Sequence, residues 1–229
     1  MEQLQGGLTL ELPEGTFPLS TDSMVLAHFV RLGRNASVLD LGSGCATLGH
    51  LLCGKDPTCH VTGIELDEVA HKAALENIHR NGISSRLDSI CADLRSIPQL
   101  LPAGSFQVCV SNPPYFSGGP ASNATPTARR EDHCTLQELF RSAAWALKYG
   151  GDFFLVHKPE RLSEICVNAV SNQMEVKRLC LVRHKPNDPV SLLLVQCRKG
   201  AKPGILWEEL CLFESDGSPT EHYRTIYHH

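Results

Sequence analysis

The chain has 229 residues, of which 42% are hydrophobic and 20% charged, with a formal net charge of −4. That length is enough for one α/β domain with a substantial core, the composition predicts a globular, soluble chain, and the charge argues weakly against nonspecific nucleic-acid binding. No apolar run approaches the roughly 20 residues of a membrane helix, and the polar start Met1-Glu2-Gln3-Leu4-Gln5 lacks the pattern of a secretory leader.

Residues 1–36 contain a predicted hairpin over 8–19 and a helix starting near Thr21 and Asp22, which are expected to serve as its N-cap. A buried strand follows at 37–41, then a glycine-rich turn and a helix over 48–53. Residues 61–65 form a second strand, and 67–81 an amphipathic helix capped by Asp67, with Val69, Ala70, Ala73, Ala74 and Ile78 on its inner face. Strands are expected at 87–91 and 106–110. A long polar loop covers 115–133, and a helix capped by Thr135 runs to Lys148 and ends at Gly150-Gly151. A fifth strand at 152–157, a helix at 161–171 and strands at 176–182 and 191–197 complete the series. Alternation of strand and helix predicts a parallel sheet covered on both faces. The last two strands have no helix between them, so they should pair as an antiparallel hairpin at one edge. The expected division is an extension over 1–36, a core over 37–200 and a second extension over 201–229.

The ten cysteines include no Cys-x-x-Cys pair, and no Cys/His pair has zinc-finger spacing, so free thiols in a reducing, cytoplasmic setting are expected and no metal site. Charge is uneven. Residues 1–123 carry −5, residues 124–205 carry +5 and residues 206–229 carry −4, so the middle block offers a candidate basic face.

Asp40-Leu41-Gly42-Ser43-Gly44-Cys45 ends the first core strand, where the ligand crevice of an open α/β sheet lies. Gly42 and Gly44 let the backbone approach a ligand, while the leading acid suits a cation better than a pyrophosphate. S-adenosylmethionine, with its ammonium and sulfonium, meets that requirement. Glu65 ends the second strand and can accept both hydroxyls of a ribose. Asp93, after Cys91 and Ala92, can accept from an adenine amine. Leu66 and Ala92 flank these acids. A strand-helix turn or helix cap would use some of the same residues alone, but acids and glycines at successive strand ends form a consistent cofactor site.

Asn112-Pro113-Pro114-Tyr115 ends the fourth core strand. Two prolines fix φ and remove two donors, leaving a stiff corner with an amide, carbonyls and an aromatic ring. The Asn112 side-chain oxygen and the Pro113 carbonyl can hold both hydrogens of an NH2 group, aiming its lone pair at a methyl donor. Tyr115 and Phe116 can stack on a flat base.

With these motifs, the chain resembles the bacterial tRNA1(Val) adenine-37 N6-methyltransferase family from about Phe17 to Tyr227. Residues 18–27 resemble its amino-terminal motif, and Asp40–Gly44 and Asn112–Tyr115 its cofactor and catalytic motifs. The stretches 128–131, 148–151 and 158–162 also fit. The resemblance implies a Rossmann-like, seven-stranded class I fold with an antiparallel last strand, dependent on S-adenosylmethionine and acting on tRNA. It further implies that Thr21 and Asp22 close over the cofactor and makes Arg129 and Arg130 candidate phosphate contacts. Arg183, His184 and Lys185, with Lys177, Arg178, Arg198 and Lys199, would extend the tRNA face. The asparagine corner also occurs where a protein glutamine is methylated, as on release factors, or a DNA adenine. A catalytically silent binding module is the reading from another class.

Overall fold

The structure, a computed structural model, describes residues 1–13, 16, 19–113 and 134–227. In chain order the elements are β1 (Glu2–Gln3), β2 (Thr9–Leu10), α1 (Thr21–Phe29), β3 (Ser37–Leu41), α2 (Thr47–Lys55), β4 (His60–Glu65), α3 (Glu68–Arg80) and β5 (Leu87–Cys91). They continue with α4 (Ile97–Leu100), β6 (Phe106–Ser111), α5 (Leu136–Ala146), β7 (Leu147–His157), α6 (Leu162–Ser171), β8 (Met174–Arg183), β9 (Leu192–Lys199), β10 (Leu206–Cys211) and α7 (Glu221–Tyr227).

Among the described residues, the main sheet has eight strands in the order β10-β8-β9-β7-β6-β3-β4-β5. Its pairs are parallel except those made by β9, which runs antiparallel to both β7 and β8. The Rossmann-like architecture and the antiparallel strand agree with the sequence. The eighth strand does not, because β10 falls in the stretch expected to be an extension. Its exposed residues Leu206 and Trp207 carry no alternation to announce a strand. It is fastened instead by the Arg178 guanidinium, which pairs with Glu208 at 2.8 and 2.9 Å and lies 4.0 Å from the Phe29 ring centre. The hairpin edge expected at β8 is therefore covered.

The central strands are buried on both faces, and their Val, Leu and Phe side chains feed two cores. One lies under α1 and α2, around Val25, Leu26, Leu52, Val38 and Phe154. The other lies under α5 and α6, around Leu39, Phe140, Phe153 and Ile165. Phe140 meets Phe153 edge-on at 5.2 Å between ring centres, a favourable aromatic geometry.

Local signals explain most boundaries. Asp67 caps α3, accepting from the N–H groups of Val69 and Ala70 at 2.8 and 3.1 Å. Thr135 and Glu138 form a reciprocal capping box on α5. Replacing Asp67 by alanine is expected to cost about 1 kcal/mol, read as a lowered denaturation midpoint; no change would remove the cap from the account.

Four expectations are corrected. Val69 is 60% exposed, because it occupies the first turn of α3 rather than its inner stripe. Residues 147–151 extend a strand instead of ending a helix: Leu147 pairs with Phe106 and Asp152 with Val108, so the intervening residues bulge out. Gly150 has φ 79°, and a Cβ on Gly151 would meet the Gln107 carbonyl at 2.9 Å, which accounts for both glycines. The cap of α1 is Ser20, which accepts from the Ser23 N–H at 3.3 Å; Thr21 and Asp22 form the first turn.

Finally, the segment expected to fold back as a hairpin is held by α3. Asn81 exchanges hydrogen bonds with both backbone groups of Thr9 at 2.7 and 2.8 Å, and Asn77 does the same with Glu11 at 2.8 and 2.9 Å. Two amide side chains thus stand in for a partner strand. Thr9 and Leu10 pair with Gln3 and Glu2 instead.

Candidate active site

Strands β6, β3, β4 and β5 are neighbours and parallel, so their carboxyl ends lie side by side along one edge. The chain proceeds outward from β3 through β4 to β5, then crosses back to β6. The β3/β6 boundary is therefore the topological switch point, where open α/β sheets bind ligands. Along this edge the sequence-predicted residues fall in the spatial order Asn112, glycine loop, Glu65, Asp93.

The loop after β3 turns sharply. Gly42 and Gly44 have φ of 74° and 56°, and a Cβ built on either would meet nothing within 4 Å. The turn needs glycine for its backbone, and the space beside it is open to a ligand. The N–H groups of Gly42 and Ser43 donate to the Ile64 carbonyl at 2.9 and 3.0 Å, fastening the loop to β4. Glu65 completes the fastening. One carboxylate oxygen accepts from the Gly44 N–H at 2.7 Å, the other from the Asp67 N–H at 2.7 Å. Each oxygen keeps a second lone pair, as a ribose acceptor requires.

Asp40 is fully buried, and among the described residues neither carboxylate oxygen has a hydrogen-bond partner; the nearby Ser43 hydroxyl is in the same condition. Burial, reinforced by the adjacent Glu65 charge, pushes the Asp40 carboxyl up to about 8, against a weaker opposing pull from the Gly49 backbone. The folded protein holds this proton where the unfolded chain releases it near the ordinary value of 3.8. Its contribution to stability is complete below that value and is lost as pH rises toward 8. Asp40→Asn should flatten that part of the pH profile of thermal unfolding; an unchanged profile would refute the assignment. A cationic ligand favours the ionised form, so an unpaired buried carboxylate at this place suits S-adenosylmethionine.

Asp93 accepts from the Arg95 N–H at 2.8 Å and pairs with its guanidinium at 2.5 to 3.0 Å. Leu66 is 46% exposed, and the Ala92 N–H donates to the Glu65 carbonyl at 2.8 Å. Thr21 lies at the start of α1, where the Tyr227 hydroxyl of α7 donates to it at 3.1 Å. Asp22 is half-buried there. Desolvation raises its carboxyl above the ordinary range, opposed by Lys158.

Asn112 follows β6, and Ser111 ties that strand end to β3 through a 2.7 Å bond from its hydroxyl to the Leu41 carbonyl. The Asn112 Nδ2 donates to the Ser23 hydroxyl of α1 at 2.9 Å. Ser23, within the amino-terminal motif but not singled out by sequence, thus joins the site. A hydroxyl three residues after a serine cap is its only local signal. Pro113 is buried, while Pro114, Tyr115, Phe116, Arg129 and Arg130 lie outside the described residues.

The expected basic face divides. Arg183 ends β8 at the site edge, and His184 and Lys185 follow it. Lys177, Arg198 and Lys199 lie toward the opposite edge, since Met174 pairs with Lys199 and Val182 with Leu192. Arg178 is 8% exposed and committed to Glu208; Arg198 pairs with Asp152 at 2.8 Å, and Lys199 donates to the Ala144 and Leu147 carbonyls.

The fold and this edge define a class I methyltransferase that uses S-adenosylmethionine. The chain belongs to the methyltransferase small domain family, whose model matches residues 19–178. It is 30% identical over 202 residues to the tRNA1(Val) (adenine(37)-N6)-methyltransferase of Tolumonas auensis, covering 86% of this chain and 83% of that one. It is 27% identical to the protein of the same name from Photobacterium profundum, covering 86% and 84%. Among solved structures, a predicted O-methyltransferase from Agrobacterium tumefaciens superposes with a TM-score of 0.75 at 21% identity, over 91% of this chain and 96% of that chain. TrmN from Thermus thermophilus superposes at 0.58 and 19%, covering 77% of this chain and 48% of that chain. At those identities the likeness is one of fold.

Proposed function

We propose that this chain transfers a methyl group to the N6 amine of an adenine in the anticodon loop of tRNA. The observation that carries the reading is the place of Asn112, at the switch point beside the glycine loop, with its Nδ2 committed to Ser23 and no described residue donating to its Oδ1. When bound, S-adenosylmethionine supplies a methyl carbon made electrophilic by its sulfonium.

The protein's own part is holding and aiming. Asp40, Gly42, Ser43 and Gly44 hold the cationic amino-acid end, Glu65 and Leu66 the ribose, and Ala92 and Asp93 the adenine, while Thr21 and Asp22 close the site from α1. The Asn112 Oδ1 and the Pro113 carbonyl accept the two hydrogens of the target amine and turn its lone pair toward the reacting carbon. Proximity and alignment account for much of such a rate. No strong base is needed before attack, because the nitrogen becomes acidic once it carries the methyl group. Tyr115 and Phe116 stack on the extruded base, with Pro114 stiffening the corner, and Arg129, Arg130 and the 183–185 turn meet phosphates.

The names of the relatives, the amine-gripping corner and the basic turn at the site edge support tRNA. No helix among the described residues is long and apolar enough to cross a membrane, and all ten cysteines are free thiols. Both suit work in the cytoplasm. Incubation with labelled cofactor and total tRNA should label tRNA, and nucleoside mass spectrometry should find N6-methyladenosine. Label on a release factor instead would replace this reading with glutamine methylation.

A further inference from the structure

We infer that Ser23 is a positioning residue for the transfer, acting by fixing which way the Asn112 amide faces. The inference rests on the proposed role of Asn112.

A primary amide has an acceptor end and a donor end of nearly equal size. At the end of β6 only one orientation is productive. With Oδ1 toward the substrate, the amide accepts a hydrogen of the target amine. With Nδ2 toward it, two donors face one another and the grip is lost. The backbone does not choose between these, because the two orientations differ only by rotation about the last side-chain bond. In the structure Nδ2 donates to the Ser23 hydroxyl at 2.9 Å, which holds that end of the amide against α1 and turns Oδ1 away from the helix.

Ser23 is well placed to do so. It is 6% exposed, so bulk water does not compete for the contact. It sits in the first turn of α1, with its N–H bonded to the Ser20 cap at 3.3 Å and the Ser20 hydroxyl 3.4 Å from its own. The helix bearing it packs on α2 and on β7 and β9 through Val25, Leu26 and Phe29. The hydroxyl is therefore presented by a rigid element, 89 residues away in sequence from the group it orients.

Ser23→Ala removes the acceptor and little volume. The expected result is a fall in kcat of about 10- to 100-fold, with the affinity for S-adenosylhomocysteine measured by calorimetry unchanged. Ser23→Thr restores the hydroxyl and should recover most of kcat. The Asn112 side-chain amide pair in a 1H–15N spectrum, assigned by its absence in Asn112→Ala, should shift in Ser23→Ala. Full kcat in Ser23→Ala, or equal loss in the alanine and threonine variants, overturns the inference. So does a loss of cofactor affinity that parallels kcat. Should Ser23→Ala fail to fold, the threonine variant and the wild-type amide resonance decide: loss of activity in the former, or a solvent-like shift in the latter, overturns it too. Activity retained in Asn112→Ala is a different result, and it removes the reading of Asn112 itself.

Discussion

Asn112→Ala is expected to lower kcat by at least about 10² to 10³-fold, the range measured when one preorganised hydrogen-bonding group is taken from a transition state. Cofactor affinity should stay within a few-fold of wild type. The two effects separate because the contacts given to Asn112 run to Ser23 and, in the proposed mechanism, to the substrate amine, whereas the loop carrying Gly42 and Gly44 is fastened independently through Ile64 and Glu65. Asn112→Asp is the sharper variant. It keeps the shape and supplies an acceptor, but places a carboxylate where Nδ2 met the Ser23 hydroxyl. Single-turnover methylation of tRNA, with binding measured separately, reads both. Undiminished transfer by Asn112→Ala would take the asparagine out of the chemistry.

Glu65→Ala should instead strike binding. The carboxylate holds two backbone N–H groups at 2.7 Å, one in the glycine loop and one at the start of α3, besides its proposed ribose contacts. Hydrogen bonds to a charged group contribute about 1.5–3 kcal/mol each. Losing the ribose acceptor and loosening the loop should therefore weaken S-adenosylhomocysteine by about 100-fold or more. Glu65→Gln keeps one acceptor oxygen and should fall between. An affinity within threefold of wild type for Glu65→Ala would refute the role. The same change has a second signature. The Glu65 charge helps keep Asp40 protonated, so its removal should move the pH-dependent loss of stability to lower pH.

The sequence exposed those parts of the molecule whose cause is local. Asp67 and Thr135 sit at helix starts because their side chains answer the unpaired N–H groups of a first turn, and both caps are present. Buried parallel strands are legible as apolar runs, so the ends that carry Asp40, Glu65 and Asn112 were placed correctly. What escaped depends on distant partners. β10 is held through Glu208 by a side chain 30 residues earlier, and nothing in residues 206–211 announces it. The clamps of Asn77 and Asn81 on the amino-terminal segment span 66 and 72 residues. The contact of Ser23 with Asn112 is of the same kind. The basic face is divided for a geometric reason: residues close in sequence along β8 and β9 lie at opposite ends of long antiparallel strands, so only the 183–185 end reaches the site edge.

The shared edge of β6, β3, β4 and β5 also acts as a ruler. Neighbouring strands in a sheet lie about 4.8 Å apart. The two gaps from the glycine loop after β3 to Asp93 after β5 therefore set a span of about 10 Å, fixed by backbone hydrogen bonding and insensitive to any one side chain. A ligand that engages both ends is selected by its length as well as by its charges. Methylthioadenosine, which keeps the adenine and ribose but lacks the amino-acid tail, reaches only part of that span. It should bind far more weakly than S-adenosylhomocysteine even where every group it touches is intact.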